Sequence, residues 1–441
     1  MLLSIISALL LILSFPSFNL NYFAFIGFVP LFIAIEDKSS KKAFLISYIC
    51  GFIFYLGTLY WLYHVTVIGL IGVCIYLTVY FGIFGIVVSR LGILLAPVAW
   101  IIIEYIQTNI PIMGFGWTSL GYSQYRNLPL IQIADFSGVY GVSFIVMMVN
   151  VAIYRVLKKS FREVIIAVLV LIAVFGYGTV RESSERYVKA VKISVVQGNI
   201  PQELKWDPDA QDMIIEKYIA LTKMAALDNP DLIVWPETSF PGFFEIDEDM
   251  TDKVLSLARE VKIPLLIGVN TEKDEKYFNS AALISSEGKM TYKYDKIHLV
   301  PFGEYVPFSN KLPMLHKLVM GELGEFTPGK EFTIFDFKAK FGALICFEDI
   351  FPKISKKFVK NGARFLVVMT NDAWYGRSGA AYQHAACSVF RAIENRVYVV
   401  RCANTGYSCF IDSRGRIYDS LSDKTSRLFI TGYKTAAVNT N

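Results

Sequence analysis

Residues typical of metal sites and disulfide scaffolds are scarce in this sequence. The 441 residues include only four histidines, none at zinc-site spacing, and six unevenly spaced cysteines without a CxxC pair. A disulfide scaffold is therefore excluded, and we expect neither a metal nor another cofactor. The net charge of +5 is mild and no extended run of lysine or arginine occurs, so nucleic acid is a poor candidate for a partner.

Charged residues are also scarce, but only in one part of the chain. Asp, Glu, Lys and Arg make up 18% of the sequence, whereas they make up about a quarter of an ordinary soluble domain. The first 180 residues hold 14 of these charges and the remaining 261 residues hold 67. This contrast excludes a single soluble domain, a disordered chain and a fibrous repeat, and it predicts two domains, 1–181 and 182–441.

The first domain reads as a multi-span helical membrane bundle. A helix needs about 20 apolar residues to cross about 30 Å of hydrocarbon. Residues 1–15 lack the basic start and the A-x-A site of a cleaved signal peptide, so we interpret this segment as a span. Seven apolar segments are candidates, at about 1–15, 20–35, 43–63, 66–89, 91–108, 136–157 and 163–180.

The loops of this bundle predict its orientation. Alternate loops carry eight basic residues, whereas the other short loops carry only Arg126. The positive-inside rule puts the eight on the cytoplasmic side. Seven spans that start inside then place everything after Arg181 on the outer side of the membrane. The eight residues are Lys38, Lys41, Lys42, Arg90, Arg155, Lys158, Lys159 and Arg162.

In the second domain, strands alternate with helices, which is typical of a layered α/β fold. Three of its segments place a reactive residue at the end of a strand. Glu237 follows a strand that Pro236 stops, Lys296 follows a second strand and precedes Glu304, and Cys346 ends a third. A lone cysteine there is more often a small buried apolar residue, and a Lys–Glu pair is more often a surface ion pair. The three segments together are far more specific than any one of them.

Glu, Lys and Cys in this order, each at a strand end, resemble the carbon–nitrogen hydrolase (nitrilase) superfamily. That resemblance implies an α-β-β-α sandwich with a glutamate base, a lysine and a cysteine nucleophile. The preceding helical bundle and further motifs resemble the apolipoprotein N-acyltransferase family over nearly the whole chain. The motifs are Gly116-Trp117, Gly121–Gln124, Val196–Gln202, Leu204–Asp207, His298–Pro307 and Thr370–Gly376.

The resemblance implies a function and a location. An acyl chain would pass from a membrane phospholipid to the N-terminal amine of a diacylated apolipoprotein, through a thioester on Cys346 and with ping-pong kinetics. Glu237 would be the general base, and Lys296 would stabilise the tetrahedral oxyanion. The protein would be a multi-pass protein of the bacterial inner membrane, with its catalytic domain on the periplasmic side.

Four more residues are implied near the site, and two features depart from the family. Glu304 would orient Lys296, while Glu348 and Trp206 would either contact the substrate or only pack their loops. Phe347 stands where the family usually has tyrosine, so the ring is kept and the hydroxyl is absent. Family members also have a further transmembrane helix after the catalytic domain, whereas this sequence stops in the polar segment Thr435–Asn441.

Two other functions fit parts of the pattern. One is a membrane-tethered amidase or nitrilase that hydrolyses a small C–N bond, and the other is a transporter or scaffold whose second domain only binds. The nearly charge-free spans argue against an ion pathway. Three aromatic-rich segments are candidates for lids that enter the membrane interface, or else they are ordinary packed loops: Phe240–Phe244, Phe302–Phe308 and Leu312–Met320.

Overall fold

The computed structural model describes residues 1–183, 189–307 and 325–440. It divides into two compact units, which we call the helical unit and the sheet unit. The helical unit comprises Met1–Glu185 with Ser378–Glu394, and the sheet unit comprises Arg186–Arg377 with Asn395–Asn441. The sequence placed everything after residue 181 in one domain. The contacts instead group Ser378–Glu394 with the helices at the start of the chain.

Each of the seven predicted apolar segments of the helical unit is helical. Within the described residues, three helices are long and apolar enough to cross a membrane: Val67–Leu91, Ala134–Leu157 and Arg162–Ser183. At about 1.5 Å per residue each of them exceeds the 30 Å or so of a hydrocarbon core. Shorter apolar helices occupy the other predicted positions. The bounds are α1 Leu2–Ser14, α2 Val29–Ile35, α3 Ser40–Thr58, α4 Val67–Leu91, α5 Ala96–Asn109, α6 Leu128–Ile131, α7 Ala134–Leu157 and α8 Arg162–Ser183.

Small residues allow α3 and α4 to pack closely. A Cβ atom at Gly85 would lie 2.6 Å from the carbonyl oxygen of Ala43, and one at Gly51 would lie 2.6 Å from the Cβ of Phe81. Both distances are too short for any larger residue, and small residues at such crossings are typical of membrane helices. The sequence of this part therefore specifies helix packing as well as hydrophobicity.

In its described residues, the sheet unit contains two six-stranded sheets and three α-helices. The first sheet has the order β12-β1-β2-β3-β4-β5 and the second has the order β11-β10-β9-β8-β7-β6. The bounds are β1 Ala190–Gln197, β2 Leu232–Val234, β3 Leu265–Lys273, β4 Lys276–Ile284, β5 Met290–Asp295, β6 Phe335–Asp336, β7 Lys340–Ile345, β8 Phe365–Thr370, β9 Tyr398–Ala403, β10 Cys409–Ile411, β11 Ile417–Ser420 and β12 Gly432–Asn439, with helices α9 Gln211–Ala226, α10 Glu248–Val261 and α11 Pro352–Lys360.

The layers follow the predicted α-β-β-α arrangement. Helices α9 and α10 pack on the first sheet in one apolar cluster, and Phe358 of α11 packs against Gly342 of the second sheet. The two sheets contact each other directly: the Cys402 sulfur of β9 lies 3.3 and 3.2 Å from the carbonyl oxygens of Val196 and Val234, either of which can accept its single S–H. Strands β7, β8 and β9 are parallel and almost wholly buried, which explains their continuous apolar sequences. The predicted fold class is confirmed.

Helix α12 spans Ala380–Asn395, and all of it except Asn395 belongs to the helical unit. A buried glutamine, Gln383, holds it there. The Oε1 atom of Gln383 accepts from the indole nitrogens of Trp61 and Trp117, both at 3.0 Å. Its Nε2 atom donates to the carbonyl oxygens of Pro16 and Thr58, at 2.8 and 3.0 Å. One side chain thus uses its amide oxygen and nitrogen for four hydrogen bonds to three separate parts of the helical unit.

Replacing this glutamine tests its contribution to stability. We expect Gln383→Met to lower the free energy of unfolding by about 2–4 kcal/mol, because four buried groups each lose a hydrogen bond. The measurement is the thermal midpoint of the detergent-solubilised protein. Gln211→Met, the same change at the half-buried start of α9, is the matched control and should shift the midpoint little. A Gln383→Met midpoint equal to that of the control would contradict the role of the four bonds.

Candidate active site

The three predicted catalytic residues lie at the same edge of the sheets because of strand direction. Strands β1, β2 and β3 are parallel, and β5 runs in the same direction because two antiparallel pairings separate it from β3. Glu237 lies just beyond the end of β2, and Lys296 follows the end of β5. Cys346 follows the end of β7 in the second sheet. The carboxyl ends of such strands are where α/β proteins form their sites.

Both oxygens of the buried Glu237 carboxylate have donors. Oε1 accepts from the side-chain amide of Asn279 at 2.9 Å and lies 3.4 Å from the Lys296 ammonium. Oε2 accepts from the backbone N–H of Asn371 at 2.9 Å. Three elements of the fold therefore fix this carboxylate: β4, the end of β5 and the end of β8.

Lys296 lies between two carboxylates. Its side chain is 1% exposed, and its ammonium is 3.0 Å from Glu304 as well as 3.4 Å from Glu237. Desolvation lowers the pKa of Lys296, but the carboxylates of Glu304 and Glu237 outweigh that effect and raise it above its ordinary value. Glu304 is itself held by Asn279 at 2.8 Å and by the backbone N–H of Val300 at 2.8 Å. The lysine is thus a fixed cation in a dry site.

Cys346 lies at a sharp turn between β7 and a short 3-10 helix, Cys346–Ile350. Its φ of +49° is in the left-handed region, which a non-glycine residue adopts only when the surrounding structure enforces it. Burial raises the pKa of the thiol well above its ordinary value, the Glu237 carboxylate raises it further, and the Lys296 ammonium opposes the change. The resting thiol therefore keeps its proton, and a nucleophilic role needs a base beside it.

Glu348 fastens the turn that carries Cys346 to the segment that carries Lys296. Oε1 accepts from the Tyr294 hydroxyl at 2.7 Å and from the backbone N–H groups of Ile297 and His298 at 2.8 and 3.1 Å. Oε2 accepts from the backbone N–H of Ile345 at 2.9 Å. These four bonds join the end of β7 to the segment after β5, and we call this arrangement the Glu348 bracket.

Sequence comparisons match this chain to known families over both the helical unit and the sheet unit. The family model for the apolipoprotein N-acyltransferase N-terminal domain matches residues 7–152, and the carbon–nitrogen hydrolase model matches residues 192–438. A protein of Geobacter metallireducens named apolipoprotein N-acyltransferase is 41% identical over 448 residues, covering 94% of this chain and 86% of its own length. The chain belongs to the apolipoprotein N-acyltransferase family. A member from Chlorobaculum tepidum is 31% identical over 468 residues, covering 94% of this chain and 87% of its own length.

Solved structures resemble the sheet unit more distantly. An amidase of the nitrilase superfamily from Nesterenkonia has a TM-score of 0.44 at 16% identity, covering 58% of this chain and 94% of that one. A carbon–nitrogen hydrolase from Helicobacter pylori has a TM-score of 0.44 at 15% identity, covering 57% and 89%. The family assignment depends on the sequence matches alone.

The structure brings six of the seven predicted site residues together, and the seventh, Trp206, adjoins Lys205. Phe347 is buried and packs edge-on against Phe351, with ring centroids 5.2 Å apart, so the ring in this family position has a packing role. Trp206 is 38% exposed on the loop after β1, and no described contact ties it to the site. Within the described ranges, no group of three His, Cys, Asp or Glu side chains is arranged to hold a metal.

The three predicted lid segments differ in burial and in how far the structure describes them. Phe240 and Phe244 are buried and pack edge-on, with ring centroids 5.3 Å apart, which is ordinary core packing. Phe302 is 42% exposed and remains a candidate for contact with the membrane interface. Phe308 and Leu312–Met320 lie outside the described residues.

Two residues of the site were missed by sequence reasoning. Asn279 bridges Glu237 and Glu304 from the middle of β4, and Lys205 donates to the main chain of Glu237. A polar side chain on a strand as buried as β4 is an anomaly that could have drawn attention to Asn279. Lys205 is part of the motif Leu204–Asp207. Lysines are usually solvated, and nothing in the sequence around Lys205 indicates that it is buried.

The bracket formed by Glu348 can be tested with a nearly isosteric change. We expect Glu348→Gln to lower the free energy of unfolding by about 2–4 kcal/mol, because an amide N–H then faces backbone N–H donors in a buried site. Tyr294→Phe removes one of the four bonds and should cost about 1 kcal/mol. Chemical unfolding of both variants measures these losses, and equal losses would contradict the bracket.

His298 should make stability depend on pH. Burial, with Lys296 nearby, lowers the pKa of His298 from 6.5 to about 4. Between these values the unfolded chain binds a proton that the folded protein does not, so stability falls as pH drops from 6.5 to 4, by up to about 3 kcal/mol. Thermal midpoints across this range should fall more steeply for the wild type than for His298→Gln. Parallel curves would contradict this prediction.

Proposed function

We propose that this protein transfers an acyl chain from a membrane phospholipid to the N-terminal amine of the diacylglyceryl-cysteine of an apolipoprotein. The observation that carries the proposal is the convergence of Glu237, Lys296 and Cys346 at one buried sheet edge, in a chain that matches the family over both units. A thiol, a base and a fixed cation are the groups that acyl transfer through a thioester needs.

The first half-reaction acylates Cys346. Glu237 takes the thiol proton as the sulfur attacks the ester carbonyl of the phospholipid, and a tetrahedral intermediate forms. Its collapse breaks the ester C–O bond, and Glu237 returns the proton to the departing alcohol oxygen. The products are the Cys346 thioester and a lysophospholipid. A positioned general base of this kind is typically worth about 10²–10⁴ in rate.

Lys296 is suited to stabilise the intermediate. Its ammonium is buried between Glu304 and Glu237 and stays protonated, so it offers a positive charge to the oxyanion in a site of low dielectric. A backbone N–H near Phe347 is the natural second donor. Because the lysine is already fixed by the two carboxylates, little reorganisation is needed when negative charge develops.

The second half-reaction transfers the acyl group to an amine. The neutral N-terminal amine of the lipoprotein attacks the thioester carbonyl, and Glu237 takes a proton from the attacking nitrogen. The C–S bond breaks, the proton passes to the sulfur, and Cys346 is restored as the new amide leaves. One base therefore serves both half-reactions, which accords with ping-pong kinetics.

The helical unit supports a membrane location. Both substrates carry acyl chains and reside in a bilayer, and three helices of the described part are long and apolar enough to span one. The distribution of basic loop residues favours a bacterial inner-membrane protein with its sheet unit on the periplasmic side. A membrane-tethered amidase is not favoured, because the family match extends through residues 7–152 of the helical unit. A transporter or scaffold leaves the Glu237, Lys296 and Cys346 arrangement without a purpose.

The acyl-enzyme provides the decisive test. After incubation with phosphatidylethanolamine, intact-mass analysis should show one acyl chain on Cys346, and the adduct should persist until a diacylated lipopeptide with a free amine is added. Cys346→Ala should give no adduct, while Glu237→Gln should slow its formation by about 10²–10⁴. Loss of the adduct in water at the rate seen with the amine would favour hydrolysis. Acylation of the Cys346→Ala variant would refute the assignment of the nucleophile.

A further inference from the structure

A second lysine is buried in the site, and the mechanism above does not use it. Lys205 lies on the loop after β1, directly after a short 3-10 helix, Gln202–Leu204, and it is 5% exposed. Its ammonium donates to the backbone carbonyl of Glu237 at 3.1 Å and to the hydroxyl of Thr238 at 3.0 Å. Lysines are almost never buried unless their charge is compensated, so this placement needs a reason.

The main chain that Lys205 contacts is in a strained conformation. Thr238 has a φ of +44°, in the left-handed region that a β-branched residue rarely adopts. The turn also packs closely on β3, since a Cβ at Gly268 would clash with the Pro236 carbonyl oxygen. The turn that carries Glu237 is thus confined between β3 and the Lys205 ammonium.

Charge balance gives an independent reason for a second cation. Glu237 and Glu304 are two carboxylates that share the single ammonium of Lys296. Lys205 supplies a second positive charge. Burial lowers its pKa to about 8, and the neighbouring Glu237 carboxylate opposes that change.

We propose that Lys205 is a positioning residue for Glu237. Lys205 holds the backbone of Glu237, while Asn279, Lys296 and Asn371 hold its carboxylate. Fixing both ends sets the place where the carboxylate meets the Cys346 thiol. The inference rests on the proposed function, in which Glu237 takes the thiol proton. A displacement of about 1 Å at such a base can cost about a hundredfold in rate.

The reactivity of the thiol toward iodoacetamide tests this role without either lipid substrate. Intact-mass analysis of the full-length protein in detergent gives the rate of Cys346 alkylation, with Cys346→Ala correcting for other cysteines. We expect Lys205→Met to slow this alkylation about tenfold to a hundredfold at pH 7. The control is Lys192→Met, because Lys192 also donates to a backbone carbonyl, that of Asp228, but is exposed and outside the site. The control should alkylate at the wild-type rate.

The pH profile separates positioning from a general loss of structure. The charged groups that act on the thiol are Glu237, Lys296 and Asp372. With Glu237 in place, alkylation proceeds near neutral pH. In folded Lys205→Met the profile should shift to higher pH, because the thiol then loses its proton without an aligned base. A folded Lys205→Met with the wild-type rate and profile would overturn the proposal.

A second variant decides the matter if Lys205→Met does not fold. Thr238→Val removes one acceptor of the Lys205 ammonium but keeps a β-branched residue at the same backbone position. A severalfold slower alkylation with a profile shifted to higher pH supports the proposal, and the wild-type rate overturns it. Failure of the proposed function would look different, because Cys346 of the wild-type chain would then form no acyl adduct with phospholipid, whatever the Lys205 variants do.

Discussion

The structure of the site depends on keeping a lysine ammonium charged where water cannot reach it. Lys296 is buried beside the carboxylates of Glu304 and Glu237, and isolated charges in such surroundings are costly. Each of these carboxylates must in turn be hydrogen-bonded. The side-chain amide of Asn279 in β4 donates to both of them. The backbone N–H of Asn371 donates to Glu237, and that of Val300 donates to Glu304. The positions of four separate segments follow from this one requirement.

The same requirement bears on the neighbouring Cys346 thiol. A thiolate at Cys346 would add negative charge near Glu237 in a buried site, so the thiol keeps its proton. The left-handed backbone at Cys346 and the bracket formed by Glu348 fix where that sulfur lies. The protein thus fixes the geometry of the site in advance.

The positions of the three proposed catalytic residues follow from strand periodicity combined with side-chain chemistry. Glu237, Lys296 and Cys346 could be located because each follows an apolar strand, and parallel strands bring such ends to one edge. The roles of Asn279 and Lys205 could not be inferred in this way, since they come from burial and from contacts with residues more than 20 positions away. Trp206 is exposed on the loop after β1, and its role stays a prediction. The placement of α12 escaped prediction for a similar reason: nothing local in its sequence indicates that Gln383 bonds to Trp61 and Trp117.

That placement of α12 has a consequence for biosynthesis. Helix α8 ends at Ser183, whereas α12 does not end until Asn395, so a ribosome adds about 210 residues between them. At about 5–20 residues per second this interval lasts about 10–40 s. The helices synthesised first must therefore reside in the cell for many seconds without the segment that supplies Gln383, and the carbonyl groups of Pro16 and Thr58 must meanwhile find other partners. Completion of the first-made part of the protein thus waits until strands β1 to β8 have been synthesised.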